Sequence, residues 1–369
     1  MPRPPHILIA AGGTGGHVYP AIAIADAIRA REPEARVVFA GTQDRLEARA
    51  VPDAGYALHP ITAQGVQREW SMQNLAVPVA LLKGLVQSWR LVGTLDPDVA
   101  VGTGGYVAGP VLLAAWMRGR PLLIQEQNAY AGATNRLLAL LAARIHLAFE
   151  EAEAWVPPSR AAVSGNPTRA ALHDADRSEA RRALGLPEDA RVLLVFGGSL
   201  GSEALNDAME AHHADILADD TVHMIWQTGP RYIDAIRERI GPHPRLRVQA
   251  YIDRMDRAYA AADLALCRAG AITCSELMVT GTPAVLVPSP NVVADHQTKN
   301  ARSMERGGAA QLLSEEELDA QGAEVVRSLL ANDDARARMA DAARTMARPD
   351  AAATIARDVL ALAEHHRRN

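Results

Sequence analysis

The chain is 369 residues long, which at roughly 150 residues per domain leaves room for two domains with their own cores. Apolar residues make up 49% and charged residues 22%, values that exclude wholesale disorder and a polytopic membrane protein. Lys and Arg number 38 against 43 Asp and Glu, a net charge of −5 that argues against a dedicated nucleic-acid binder, so phosphate, if bound, is bound locally. Cys267 and Cys274 cannot build a disulfide framework and match no zinc spacing, which points to a reducing cytoplasm. Residues 1–10 have the pattern of neither a signal peptide nor a spanning helix.

Residues 7–11 form an apolar run that stops in Gly12-Gly13-Thr14-Gly15-Gly16-His17, and over residues 20–30 the side chains Ile22, Ala25 and Ile28 fall at helical spacing. This predicts a strand, a glycine loop and a helix. Residues 37–40 and 99–101 make further strands, the second running into Gly102, Gly104 and Gly105, and residues 122–124 make another. Apolar strands separated by helical patterns predict a parallel sheet covered on both faces. Over residues 155–167 the texture changes to Pro157-Pro158 and Gly165-Asn166-Pro167 with no sustained period, which predicts an interdomain linker. The opening pattern then repeats: residues 192–196 end in Gly197-Gly198-Ser199-Leu200-Gly201-Ser202, followed by a helix from Glu203. Strands are expected at 222–227, 246–249, 264–267 and 284–287, and a last helix at 351–363.

The expected architecture is therefore α/β: two Rossmann-like doubly wound domains at residues 1–160 and 161–345, with residues 346–369 a C-terminal helix packing back toward the first. Two such domains bring their strand C-terminal ends, and their glycine loops, around one cleft. A glycine run at a strand-to-helix turn lets N–H groups approach an anion, and the helix start supplies about half a positive charge. Alone, each loop is equally a tight structural turn. The dinucleotide fingerprint fails because Val18 stands where its third glycine belongs, and neither loop ends in the Lys-Ser or Lys-Thr of a Walker motif. Asp96-Pro97-Asp98 and Asp174-Ala175-Asp176 spell the acidic pair of metal-dependent glycosyltransferases, but they read as a turn and as the acidic approach to a helix, so no metal is expected.

Taken together, Gly-Gly-Thr-Gly-Gly-His at 12–17, Gly-Thr-Gly-Gly-Tyr at 102–106, Gln-Glu-Gln-Asn at 125–128, Gly-Asn-Pro-Thr-Arg at 165–169, Gly-Gly-Ser-Leu-Gly at 197–201, Cys-Arg-Ala-Gly-Ala-Ile-Thr-Cys-Ser-Glu-Leu at 267–277 and Asp-His-Gln-Thr-Lys-Asn-Ala at 295–301 resemble one family. It is the family 28 peptidoglycan glycosyltransferases, which add N-acetylglucosamine to an undecaprenyl-linked muramyl-pentapeptide. The resemblance runs in order from about residue 7 to residue 310. It departs at Gln125, where His is common, at Leu200, where Gln is common, and at Cys274, where Val is usual.

The resemblance implies a GT-B fold with UDP-N-acetylglucosamine bound mainly by the second domain, the acceptor by the first, inversion in a single displacement, and no cofactor. His17 becomes the candidate base for the acceptor's 4-hydroxyl, with a helix cap or phosphate contact as its other reading, and Thr14, Gly15 and Gly16 line the cleft beside it. Arg169 and Ser199 face the departing UDP. The N–H groups of Ala271, Ile272, Thr273, Cys274, Ser275 and Glu276 add positive potential, and the Glu276 carboxylate accepts from ribose hydroxyls. Ile252 offers backbone groups to uracil, and Asn128 and Gln297 offer amides to the sugar's hydroxyls.

The lipid acceptor also implies a peripheral protein at the cytoplasmic face of the cell membrane. Leu75, Val79, Leu82, Val86 and Trp89 fall at helical spacing beside Lys83, Gln87 and Arg90, followed by Trp116, Met117, Arg118 and Arg120. That pattern fits a core-facing helix or a membrane face, and the acceptor favours the second. The other functions two Rossmann-like domains suggest are a nicotinamide or flavin oxidoreductase and a non-catalytic nucleotide-sugar binder.

Overall fold

The structure, a computed structural model, describes residues 3–63, 77–292 and 295–368. The chain divides into two compact units, Met1–Thr168 with Pro349–Asn369, and Arg169–Arg348.

The first unit runs β1 (His6–Ala11), α1 (Gly15–Arg31), β2 (Arg36–Gly41), α2 (Glu47–Asp53), β3 (Ala57–Pro60), α3 (Val77–Leu95), β4 (Val99–Gly104), α4 (Ala108–Met117), β5 (Leu122–Glu126), α5 (Ala133–Ala139), β6 (Arg144–Leu147) and β7 (Ala161–Val163). Its strands form one parallel sheet in the order β3-β2-β1-β4-β5-β6-β7. Every residue of β1 is buried because both faces of the sheet are covered, and the two-residue period divides the run between two cores. Leu8 and Ala10 join Val111 and Leu112 of α4 and Val92 of α3 on one side. Ile7 and Ile9 join Ile24 and Ile28 of α1 on the other.

The second unit runs α6 (Arg177–Ala183), β8 (Arg191–Phe196), α7 (Glu203–Ile216), β9 (Val222–Gln227), α8 (Ile233–Ile240), β10 (Leu246–Gln249), α9 (Met255–Ala261), β11 (Leu264–Cys267), α10 (Ala271–Thr280), β12 (Ala284–Leu286), α11 (His296–Arg306), β13 (Ala310–Leu312), α12 (Leu318–Ala331) and α13 (Asp333–Met346). Its parallel sheet has the order β10-β9-β8-β11-β12-β13. Leu193 and Val195 pack with Leu205 and Met209 of α7 and Val326 of α12. Phe196, of the alternate parity, meets the Tyr259 ring edge-to-face at 5.8 Å.

The last helix, α14 (Ala351–Arg368), belongs to the first unit: Ile355, Ala356 and Val359 complete the core under α1. Burying Ile355 and Val359 contributes roughly 1.5–3 kcal/mol each.

Residues 155–167 are not a bare linker. They contain β7, which pairs with β6 through Ile145↔Ala161 and Leu147↔Val163 as the edge of the first sheet, and the chain changes unit only at Thr168. Three residues of strand between two proline-rich turns carry too little alternation to be seen in sequence.

Candidate active site

β1 and β4 are neighbours although two strands separate them in sequence, so the strand order reverses there, and the crevice outside their C-terminal ends is where open α/β sheets hold ligands. Helix α1 starts at Gly15, five residues before the start expected at Pro20. The turn is completed by Gly12–Thr14, with Gly13 at φ +95°. Pro20 falls inside the helix, where its missing N–H forgoes the bond to Gly16 O. Gly15, Gly16 and His17 therefore form the first helical turn rather than a loop. Thr14 is the N-cap residue but its side chain makes no capping bond; its carbonyl accepts from His17 N and Val18 N, both at 3.1 Å. The N–H groups of Gly15 and Gly16 have no partner among the described residues.

His17 is held by the end of β4 and the segment after β5. Its Nδ1 lies 3.0 Å from Thr103 O and 2.9 Å from Gln127 Oε1, and Thr103 Oγ1 donates to His17 O at 2.9 Å. The ring fits because Gly104, at φ +104°, has no Cβ; one built there would stand 2.7 Å from Nδ1. Both neighbours of Nδ1 accept, so the neutral ring carries its proton on Nδ1 and leaves Nε2 as the basic nitrogen. Nε2 has no partner among the described residues.

Two buried carboxylates shape these loops, and neither was singled out in sequence. Glu47 accepts from Gly13 N at 3.0 Å, Thr42 N at 3.0 Å and Thr42 Oγ1 at 2.7 Å. Glu126 accepts from Asn128 N at 3.0 Å, Gly132 N at 3.0 Å and Asn135 Nδ2 at 2.8 Å, which folds the segment after β5 around it. Glu126 and Gln127 lie in the quoted tetrad, so position in a motif was their one available signal. Glu126 also accepts from Asn128 Nδ2 at 3.2 Å, which uses one of that nitrogen's two N–H donors.

In the second unit the order reverses between β8 and β11. A cavity of about 470 Å³ opens there, lined by Gly197, Ser202, Asp207, Arg268 and Gln297 among others. Ser199 is exposed on the turn after β8. That turn feeds a helix capped from within: Ser202 Oγ accepts from Leu205 N at 3.4 Å, and Glu203 adds an acid to the first turn of α7. The start of α10 is different. Its N-cap is Gly270, its first turn has no acid, and its ladder begins with Cys274 N donating to Gly270 O at 2.9 Å.

The expectation that N–H groups through Glu276 face an anion is therefore corrected. Those of Cys274, Ser275 and Glu276 are spent in the helix, while those of Ile272 and Thr273, with Ala271 before them, lie ahead of the ladder. The Cys274 and Ser275 side chains also turn inward: Cys274 is fully buried and Ser275 Oγ donates to Ala271 O at 3.0 Å.

Arg169 and Glu276 are paired, Nη2 donating to Oε1 at 3.1 Å, and Tyr259 Oη donates to the other carboxylate oxygen at 3.1 Å. Burial pushes the Glu276 carboxyl above its ordinary range, against the pull of Arg169 and the Tyr259 hydroxyl. Gln297, in the first turn of α11, accepts from Ser289 N at 2.8 Å through Oε1, which fixes the orientation of its amide. Ile252 is buried between β10 and α9, with its N–H and C=O unpartnered among the described residues.

Three of the four acids in the two acidic pairs have structural partners. Asp98, fully buried, accepts from His6 N at 2.8 Å and from Arg3 at 2.7 Å, and Asp96 pairs with Arg120. Asp176 caps α6 by accepting from Glu179 N at 2.8 Å. On α3, Val79, Leu82, Val86 and Trp89 are exposed, as are Trp116 and Met117, and Arg118 lies 4.1 Å over the Trp89 ring. Leu75 lies outside the described residues. No described helix is long and apolar enough to cross a membrane.

Two Rossmann-like units, each with a crevice at the reversal of its strand order, define the GT-B class of glycosyltransferases. The model of the glycosyltransferase family 28 N-terminal domain matches residues 7–147, and that of the family 28 C-terminal domain matches residues 192–355. The UDP-N-acetylglucosamine–N-acetylmuramyl-(pentapeptide) pyrophosphoryl-undecaprenol N-acetylglucosamine transferase of Salinibacter ruber is 70% identical over 367 residues, covering 100% of this chain and 99% of the relative. The enzyme of the same name from Chlorobium phaeobacteroides is 41% identical over 97% of this chain and 100% of its own. The crystal structure of Acinetobacter baumannii MurG superposes with a TM-score of 0.78 at 32% identity, covering 97% of this chain and 100% of that one. The chain belongs to glycosyltransferase family 28.

Proposed function

We propose that this chain transfers N-acetylglucosamine, with inversion, from UDP-N-acetylglucosamine to the 4-hydroxyl of undecaprenyl-pyrophosphoryl-N-acetylmuramyl-pentapeptide, a step of peptidoglycan synthesis. The observation that carries the chemistry is the His17 ring, whose Nδ1 is held by two acceptors and whose Nε2 has no partner among the described residues. His17 takes the acceptor's proton through Nε2, and Thr14, Gly15 and Gly16 line the acceptor's site. The departing UDP is met by Arg169, Ser199 and the N–H groups at the start of α10, so the reading calls for no obligatory metal. Glu276 takes ribose hydroxyls once Arg169 turns to phosphate, Ile252 offers its backbone to uracil, and Asn128 and Gln297 reach the sugar.

The acceptor's lipid stays in the bilayer, so the chain works at the cytoplasmic membrane surface. Support comes from the exposed Leu82 and Trp89 beside Lys83 and Arg90, an apolar face with cationic edges. One transfer assay, run on a long-chain lipid acceptor in liposomes and on a short soluble analogue, tests both parts. His17→Ala lowers kcat about 10²- to 10⁴-fold on both acceptors with donor affinity little changed, and EDTA leaves the wild-type rate intact. Leu82→Ser, Trp89→Ser and Lys83→Glu together reduce liposome binding and turnover of the long acceptor only. Near-normal kcat in His17→Ala removes the base. Loss of rate in EDTA restored by a divalent ion removes the metal-free mechanism, and equal loss on both acceptors in the triple variant makes the patch core.

A further inference from the structure

Three buried amides form an ordered chain behind His17. It begins at a fixed acceptor, the main-chain carbonyl of Gln127, to which Asn166 Nδ2 donates at 3.0 Å. A carbonyl can only accept, so Asn166 turns its Oδ1 the other way, where Gln125 Nε2 donates to it at 2.7 Å. Gln125 Oε1 in turn accepts from Gln127 Nε2. The same Gln127 nitrogen, which has two hydrogens, also lies 2.5 Å from Thr103 O and 3.1 Å from Gln125 O, so reversing this amide would set its oxygen against three acceptors. Gln127 Oε1 is thereby committed to His17 Nδ1 at 2.9 Å. Gln125, Gln127 and Asn166 are 0%, 1% and 3% exposed, so each bond lies out of competition with solvent, where aligned amide dipoles strengthen one another.

We propose that Asn166, Gln125 and Gln127 are positioning residues that fix the tautomer of His17, holding its proton on Nδ1 and its lone pair on Nε2. The direction of the chain is set at the Gln127 carbonyl and passed amide by amide to the ring, as a second partner sets the tautomer of a catalytic or metal-bound histidine elsewhere. The catalytic benefit rests on the base role proposed above; the tautomer is a separate property. Gln125, one of the departures from the family pattern, fits its place because it donates at one end and accepts at the other. A histidine can do the same with its two ring nitrogens. The two buried carboxylates that shape the adjoining loops, Glu47 and Glu126, are engaged by Gly13 and Thr42 and by Asn128, Gly132 and Asn135, and neither bonds the ring.

The test is the ¹⁵N spectrum of labelled histidine in the full-length protein, with His17→Ala assigning the signal, at a pH where the ring is neutral. The wild type shows a protonated Nδ1 and a bare Nε2. Gln127→Met removes one of the two acceptors at Nδ1 at similar volume and leaves only Thr103 O, so part of the proton population moves toward Nε2 and kcat falls about 10- to 100-fold while KM for UDP-N-acetylglucosamine stays within about twofold. Gln125→His keeps the wild-type tautomer. A wild-type ring protonated on Nε2, or an unchanged tautomer in folded Gln127→Met, overturns the proposal, and the first outcome needs no variant to fold. A tautomer that moves while both Gln127→Met and His17→Ala keep their kcat supports the positioning chain and sinks the base role instead.

Discussion

The glycine turns after β1 and after β8 look interchangeable in sequence, yet they prepare different helix starts. Helix α1 begins with no side-chain cap and no acid in its first turn, leaving the Gly15 and Gly16 N–H groups unpartnered among the described residues. Helix α7 begins with Ser202 bonded to Leu205 N and with Glu203 beside it, so its positive end is partly answered by the protein itself. The counterpart of α1 as an open helix start in the second unit is α10, three strands further along the chain, behind Gly270. A shared motif thus specifies the bend of the chain. Where an anion is welcome depends on caps and acids that differ between the units.

The same comparison gives the largest predicted effect. Gly201, at φ +81°, would place a Cβ 1.9 Å from Thr228 O, whereas Gly198, at φ +91°, has nothing within 4 Å. Gly198→Ala costs only the left-handed conformation, about 1–2 kcal/mol. Gly201→Ala adds a clash with main chain that cannot yield, and costs about 4 kcal/mol or more. The first unit repeats the contrast, since Gly105 would strike Gly12 O at 2.1 Å while Gly13 has nothing within 4 Å. Urea unfolding of the four alanine variants should separate them into two severe and two mild. Equal midpoint losses within either pair would mean that these turns are not packing joints.

Much of this layout was legible in the sequence, for a physical reason. Strands buried on both faces are continuous apolar runs, so β1, β8, β9 and β11 stand out, and the glycines that end them mark the ligand side of each sheet. What stayed hidden is long-range or short. β3 and β6 have four residues each and mixed polarity, and β7 has only three. Glu47 reaches Gly13 across 34 positions and Gln127 reaches His17 across 110, and no local period encodes such a bond. The Arg169–Glu276 pair was nominated as two separate ligands of the donor; that they hold each other across 107 positions appears only in three dimensions.

The return of α14 to the first unit carries a response to acid. His146 on β6 is fully buried, with Nδ1 3.0 Å from Ser164 Oγ and Nε2 3.3 Å from Asp358 Oδ2 on the returning α14. Burial holds this imidazole down to about 4, against the pull of Asp358. A histidine whose folded value lies below its unfolded value of 6.5 gives its stability in full above pH 6.5 and loses it as pH falls toward 4, by about 3 kcal/mol at the limit. Hydrogen exchange of α14 amides should therefore accelerate between pH 6.5 and 4, and the acceleration should flatten in His146→Met. An identical slope in that variant would assign the acid sensitivity to another group.

The smallest effects decide which helix start receives the donor. If α10 and the Arg169–Glu276 pair bind UDP, Arg169→Ala removes a charge-assisted contact and weakens UDP and UDP-N-acetylglucosamine together by about 1 to 3 kcal/mol. Glu276 needs a gentler change: it is buried against the Tyr259 hydroxyl, so alanine would also leave that donor unpaired, whereas Glu276→Gln keeps an oxygen for Tyr259 and removes the charge and the oxygen that Arg169 bonds. Its loss of affinity should fall in the same range without a large drop in stability. Ser202→Ala is the counterweight at α7. It removes a cap and costs about 1 kcal/mol of stability, but it touches none of the groups assigned to the nucleotide, so UDP affinity should hold. Calorimetry on the three variants, with urea melts alongside, reads both quantities. Unchanged UDP affinity in both Arg169→Ala and Glu276→Gln would take the pair out of the donor site. A Ser202→Ala variant that loses as much affinity as Arg169→Ala would mean that the phosphates sit at the turn after β8, and that the two glycine turns are alike in function after all.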